Sequence, residues 1–241
     1  MIVIPAIDIL DGMCVRLKKG DYGTASKVAE SAFDTARSFE DAGAEYIHIV
    51  DLNGAKSGES DNFALIKELA AAVSAPIEVG GGIRNMKTVE KYINAGVSRV
   101  ILGSAALRDR DFLLESIREY GRDKVSVGVD VLDGDVRTDG WLKASGKDYI
   151  DFAKALEADG VKNLIVTDIK TDGMLSGPNI SMLEKLKEAV SCDITSSGGV
   201  SSFDDIVNLG SLDIYGAICG KAVYTGSLDL KKAIEWTKSK K

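Results

Sequence analysis

The sequence predicts an α/β protein, a closed (β/α)8 TIM-type barrel built of two similar half-barrels, and three observations predict it. Eight short β-branched runs alternate with amphipathic stretches. The runs are apolar on both faces, as strands of a helix-covered parallel sheet must be. The 241 residues, 45% apolar and 28% charged, have the length and composition of one such barrel. We expect a single domain over 1–241, with half-barrels at about 1–123 and 124–241. A doubly wound open sheet is the structural alternative, because alternation alone does not close a sheet.

Each strand is read from an apolar run and what stops it. Ile2–Ile7 runs into Asp8, Tyr46–Val50 into Asp51, Pro76–Val79 into three glycines, and Arg99–Leu102 into Gly103. In the second half, Lys124–Val129 runs into Asp130, and Asn163–Val166 into Thr167 and Asp168. Asp193–Thr195 runs into serines and Gly198-Gly199, and Ile214–Cys219 into Gly220. Helical patterns such as Asp61–Val73 and Met86–Ala95 follow the strands.

The second half repeats the first. "AIDILDG", ending at Gly12, returns as "GVDVLDG", ending at Gly134, with Asp8 and Asp130 offset by 122 residues. Asp51 to Asp168, Gly82 to Gly199 and Gly103 to Gly220 are each separated by 117 residues. An open sheet has no reason to be doubled in this way, whereas a barrel made of two halves does.

Barrel active sites are built at the C-terminal ends of the strands. Asp8 and Asp130 close strands half a turn apart, so they face one another across the mouth. Strand alternation puts Ala6 below Asp8 and Gly128 below Asp130, which leaves room for a ligand. A lone Asp after a strand is ordinarily a cap or a turn former, and Asp11 and Asp133, within Asp-Gly dipeptides, fit that role. Gly80-Gly81-Gly82 with Gly103-Ser104, and Gly198-Gly199 with Gly220-Lys221, each precede a helix. These make two anion cradles on opposite sides of the mouth, because glycine admits close backbone approach and a helix start offers free N–H groups. The ligand expected is a small molecule with a phosphate at each end. Leu17–Ala25 and Leu132–Gly146, the latter carrying Arg137 and Trp141, are expected to be mobile lids.

Other chemistries find little material. A formal charge of −7 without runs of like charge argues against nucleic acid or an acidic membrane as partner. Cys14, Cys192 and Cys219 follow no disulfide or zinc spacing, and no apolar stretch is long enough to span a bilayer, which suits a reducing cytoplasm. His48 is the sole histidine, so no His-assisted nucleophile is expected, no cluster of His, Cys and carboxylates suggests a metal, and no G-x-G-x-x-G follows the first strand to suggest a redox cofactor. His48 itself is either a hydrogen-bonded strand residue or a ligand contact, and Trp141 either packs on the surface or stacks on ligand.

The joint pattern of "PAIDILDG" with "VRL", "IHIVDLNGA", "VGGGIR", "ILGSAA", "GVDVLDG" with a following "GW", "TDIKTDGMLSGPN", "SSGGVSS" and "CGKAVY" resembles the phosphoribosylformimino-aminoimidazole carboxamide ribotide isomerases of histidine biosynthesis, across nearly the whole chain. That resemblance implies a cofactor-free Amadori rearrangement of a bisphosphorylated aminoaldose, without an obligate protein partner. It implies Asp8 as general base at ribose C2 and Asp130 as general acid at the ring oxygen, with Asp130 the more perturbed. It places Thr167 and Asp172 near the sugar, and Gly81, Gly82, Arg84, Gly103, Ser104, Gly177, Asn179, Gly198, Gly199, Gly220 and Lys221 in the binding loops. Ser104, Met174 and Ser196 depart from the residues common in that family, which touches loop detail. Three other readings stand beside it. One is an isomerase that also accepts phosphoribosylanthranilate, another is the cyclase subunit of imidazole glycerol phosphate synthase, and the third is a non-catalytic sugar-phosphate binding protein.

Overall fold

A computed structural model describes residues 1–240. The strands are β1 (Ile2–Leu10), β2 (Met13–Lys18), β3 (Asp21–Ala29), β4 (Ile47–Asp51), β5 (Ile77–Gly80), β6 (Arg99–Leu102), β7 (Val125–Leu132), β8 (Asp135–Thr138), β9 (Lys143–Asp148), β10 (Asn163–Asp168), β11 (Asp193–Ser197) and β12 (Gly216–Cys219). Eight of them pair in parallel in the order β1, β4, β5, β6, β7, β10, β11, β12, and β12 pairs back to β1. The ring is therefore closed, which removes the open-sheet alternative, and helices fill the connections between its strands. Among the described residues no helix is long and apolar enough to cross a membrane.

Alternation along β1 shows why Asp8 points where it does. Val3, Ile7 and Ile9 belong to the large core between the barrel and its helices, whereas Ile2, Ile4 and Ala6 pack inside the barrel with Ile101, Ile165 and Ile218. Asp8 is next in the even series, so the pleat aims it into the mouth. Gly128 and Asp130 follow the same rule on β7. Below the mouth the barrel interior also holds polar side chains, and Asn163 accepts from Ser126 and donates to Thr195 at 3.3 and 3.1 Å.

The segments expected as mobile lids form antiparallel ribbons, β2 with β3 and β8 with β9. β1 and β7 run past the ends expected at Ile7 and Val129 because each pairs with the strand that follows it, Asp8 opposite Val15 and Val131 opposite Val136. The turns are Asp11-Gly12 and Asp133-Gly134, all four residues at positive φ. Two consecutive positive φ angles match the right-handed twist of a tight hairpin, and Asp-Gly adopts them readily. The duplicated "DG" thus folds the chain back directly above each duplicated aspartate.

Candidate active site

The barrel mouth holds one large cavity, lined by Asp8, Arg16, His48, Asp130, Trp141, Thr167 and Asp172 at its centre and by glycine clusters on either side. Arg16, on β2, is folded back over β1, and its Nη1 donates to Asp8 Oδ2 at 2.6 Å while Nη2 donates to the Ala6 carbonyl at 2.7 Å. The Tyr224 ring lies 5.3 Å from the guanidinium. Burial works against the Arg16 charge, but Asp8, Tyr224 and Asp172 more than offset it and hold its pKa above the ordinary value. Sequence reading passed over Arg16 as a site residue. Its signal was the Asp-Gly hairpin, which returns β2 against β1.

Asp130 stands beside Thr167 in the β7–β10 register. Burial raises its carboxyl pKa, and the hydrogen bonds from Thr167 and Trp141, with the charge of His48, only partly reverse this. Asp172 is raised further, to about 6, by burial first and then by the charges of Asp8 and Asp130, against Arg16 and His48. Crowding carboxylates in a half-dry cleft disfavours the charged form of at least one of them. His48 reaches the cavity wall while its Nδ1 lies 2.8 Å from Glu78 Oε1.

The two glycine clusters are built alike. Gly81, Gly82, Gly198 and Gly199 all have positive φ and line the cavity. A Cβ on Gly82 would lie 2.2 Å from the Gly54 carbonyl oxygen, and one on Gly199 would lie 2.2 Å from that of Gly177. These glycines are therefore needed for loop packing as well as for access. Gly103 and Gly220 precede the short helices Ser104–Arg108 and Lys221–Tyr224 with matching geometry (φ −93°, ψ −117° and φ −104°, ψ −100°), and neither helix has a side-chain cap. First-turn N–H groups are thus left for a ligand. Arg84, also on the wall, donates to the Ala55 carbonyl at 3.0 Å; Ser104 Oγ accepts from the Asp139 amide at 3.0 Å, and Lys221 Nζ donates to the Gly173 carbonyl at 2.8 Å.

Two expected ligand contacts are placed elsewhere. Gly177 and Asn179 do not line the cavity. The Gly177 amide donates to the Gly199 carbonyl, and Asn179 caps the helix Ile180–Ala189 and donates from Nδ2 to Asp168 Oδ2 at 2.7 Å. The first half has the same brace, Asn62 Nδ2 to Asp51 Oδ1 at 2.7 Å. Asn62 and Asn179 are separated by the same 117 residues as the other pairs, a signal that marks them as loop braces. Trp141 is strained at φ +75°, and a Cβ on Gly20 would lie 2.6 Å from its ring, so the two hairpins meet over the mouth.

Comparison with known proteins places these features in a family. Residues 2–229 match the model of a family described as histidine biosynthesis protein. A relative from Clostridium acetobutylicum is 53% identical over 234 residues, covering 97% of this chain and 98% of its own. Relatives from Clostridium beijerinckii and from Clostridium botulinum strain Alaska E43 are 52% and 54% identical over 238 residues, covering 99% of this chain and 99% and 100% of their own. All three are named 1-(5-phosphoribosyl)-5-((5-phosphoribosylamino)methylideneamino) imidazole-4-carboxamide isomerase.

Proposed function

This chain belongs to the family of histidine biosynthesis proteins, and we propose that within it the protein is the isomerase its relatives are named for, converting the N-linked phosphoribosylamine of a bisphosphorylated substrate to the phosphoribulosyl form. The observation that carries this reading is the placing of Asp8 and Asp130 on β1 and β7, turned into one cavity flanked by two like-built glycine clusters. The relatives' name contains two 5-phosphoribosyl groups, and each cluster takes one phosphate. That name also favours the isomerase over the cyclase and over a binding protein.

In this reading Asp130, whose raised pKa suits a donor, gives a proton to the ribose ring oxygen; the C1–O bond breaks and C1 becomes an iminium. Asp8 removes the proton from C2, the C–H electron pair forms the C1–C2 double bond of an enolamine, and tautomerisation yields the aminoketose. Arg16 occupies one Asp8 oxygen, Oδ2. Trp141 and Gly20 cover the open-chain intermediate. A second reading gives the donor role to Asp172, because a carboxyl at about 6 matches a general acid working near neutrality. The pH–rate profiles of Asp130→Asn and Asp172→Asn separate the two, since the alkaline limb follows the group that donates.

We further propose that 1–123 and 124–241 derive from one repeated half-barrel, supported by the paired hairpins, braces and glycine contacts. The free cysteines Cys14, Cys192 and Cys219 support a cytoplasmic setting. The functional test is turnover of the bisphosphorylated aminoaldose without ammonia or glutaminase. Accumulation of the aminoketose is expected, and strong loss of both kcat and kcat/KM with either single-phosphate analogue. Turnover that requires ammonia, or none at all, overturns the reading.

A further inference from the structure

His48, Glu78 and Arg99 are direct cross-strand neighbours on β4, β5 and β6, and His48 carries the row to the cavity that Asp8 and Asp130 line. Glu78 is fully buried and is shared by the other two: its Oε1 lies 2.8 Å from His48 Nδ1, and its Oε2 accepts from Arg99 Nε and Nη2 at 2.9 and 2.5 Å. The rings of Tyr46 and Tyr215 flank the Arg99 guanidinium at 4.5 and 5.6 Å. Burial alone would raise the Glu78 pKa, but the hydrogen bond from His48 and the Arg99 guanidinium bring it below the ordinary value, so Glu78 is a carboxylate. A carboxylate only accepts, so the hydrogen between it and the imidazole belongs to Nδ1. No protein partner for Nε2 is found among the described residues, and His48 lines the cavity.

We infer that Glu78, clamped by Arg99, is a positioning residue that fixes His48 as the Nδ1–H tautomer and so presents Nε2 to the mouth as a hydrogen-bond acceptor for a substrate hydroxyl. The inference about the substrate rests on the isomerase reading; the tautomer does not. Neutral histidine in water prefers the opposite tautomer, Nε2–H, so the protein must reverse that preference. Glu78→Gln tests the mechanism without changing the side chain's size. Arg99 offers only donors, so the single carbonyl of the glutamine must face it, and the amide NH2 then faces His48 Nδ1. The ring is forced to accept at Nδ1 and to carry its hydrogen on Nε2, which inverts what the substrate meets.

Because His48 is the sole histidine, imidazole ¹⁵N NMR of the ligand-free protein reads its tautomer without assignment. At alkaline pH, once the imidazole is neutral, the native protein should show Nδ1–H and Glu78→Gln should show Nε2–H. In turnover, Glu78→Gln should lose about 10- to 100-fold in kcat/KM, the cost of one mismatched buried hydrogen bond. In a His48→Ala background the same change should cost almost nothing further, since Glu78 acts through the imidazole. A native spectrum showing Nε2–H or a mixture overturns the inference even if no variant folds. So does an unchanged tautomer in Glu78→Gln, or an equal kinetic loss in both backgrounds. Failure of the native protein to turn over the aminoaldose would remove the isomerase reading and leave the NMR result standing.

Discussion

Asp172→Asn should make the protein more stable at mildly alkaline pH. In the folded chain the Asp172 carboxyl titrates at about 6 instead of its ordinary 3.8, raised by burial and by the charges of Asp8 and Asp130. Between those two values the folded protein binds a proton that the unfolded chain has released. The associated stability is therefore fully present below about 3.8 and is lost as pH rises through about 6. The gap corresponds to about 3 kcal/mol at most. The side chain still touches cavity water, which screens part of this, so we expect about 1–3 kcal/mol. Asparagine has nearly the same shape and no charge to desolvate. Urea unfolding of both proteins at about pH 4 and about pH 8 should show the variant more stable by that amount at the higher value and little changed at the lower. Other titrating groups are common to both proteins and largely cancel in the difference. A stability gap that is independent of pH, or a variant less stable at the higher pH, would refute the reasoning, because Asp172 would then not be held as a reluctant anion.

The two kinds of mouth glycine should separate in the same way. Gly82→Ala drives a Cβ into the Gly54 carbonyl at a positive φ and should cost about 1–3 kcal/mol or more by urea titration. A Cβ on Gly103 meets nothing within 4 Å, so Gly103→Ala should keep native stability and raise KM; equal stability losses would contradict this. Gly20→Ala should push the Trp141 indole away from Asp130, seen as a red shift of Trp141 emission in a Trp236→Phe background, and an unchanged spectrum would mean the hairpins do not rest on one another.

The barrel was legible because its rules are local. Val and Ile runs ending in Asp or Gly set eight strands, and alternation from Ile2 to Asp8 set which side chains enter the barrel. The ribbons after β1 and β7 were underestimated: Asp11-Gly12 and Asp133-Gly134 were read as turns, but not as turns that start a new strand. Arg16 was passed over for that reason. Glu78 was passed over for another, since its partners His48 and Arg99 sit on two other strands, and only the register of β4, β5 and β6 brings the three together. Asn179 carries a role that the sequence reading did not assign: like Asn62, 117 residues earlier, it braces the aspartate that ends the preceding strand.

The most direct test of the division of labour between the two duplicated aspartates is single-turnover isomerisation of the bisphosphorylated aminoaldose by Asp8→Asn and Asp130→Asn, with binding measured alongside. Each variant should bind substrate and lose on the order of 10²–10⁴-fold in rate, with Asp8→Asn also losing exchange of the ribose C2 proton with solvent. Near-native turnover by Asp8→Asn, with C2 exchange intact, would contradict its role as the base.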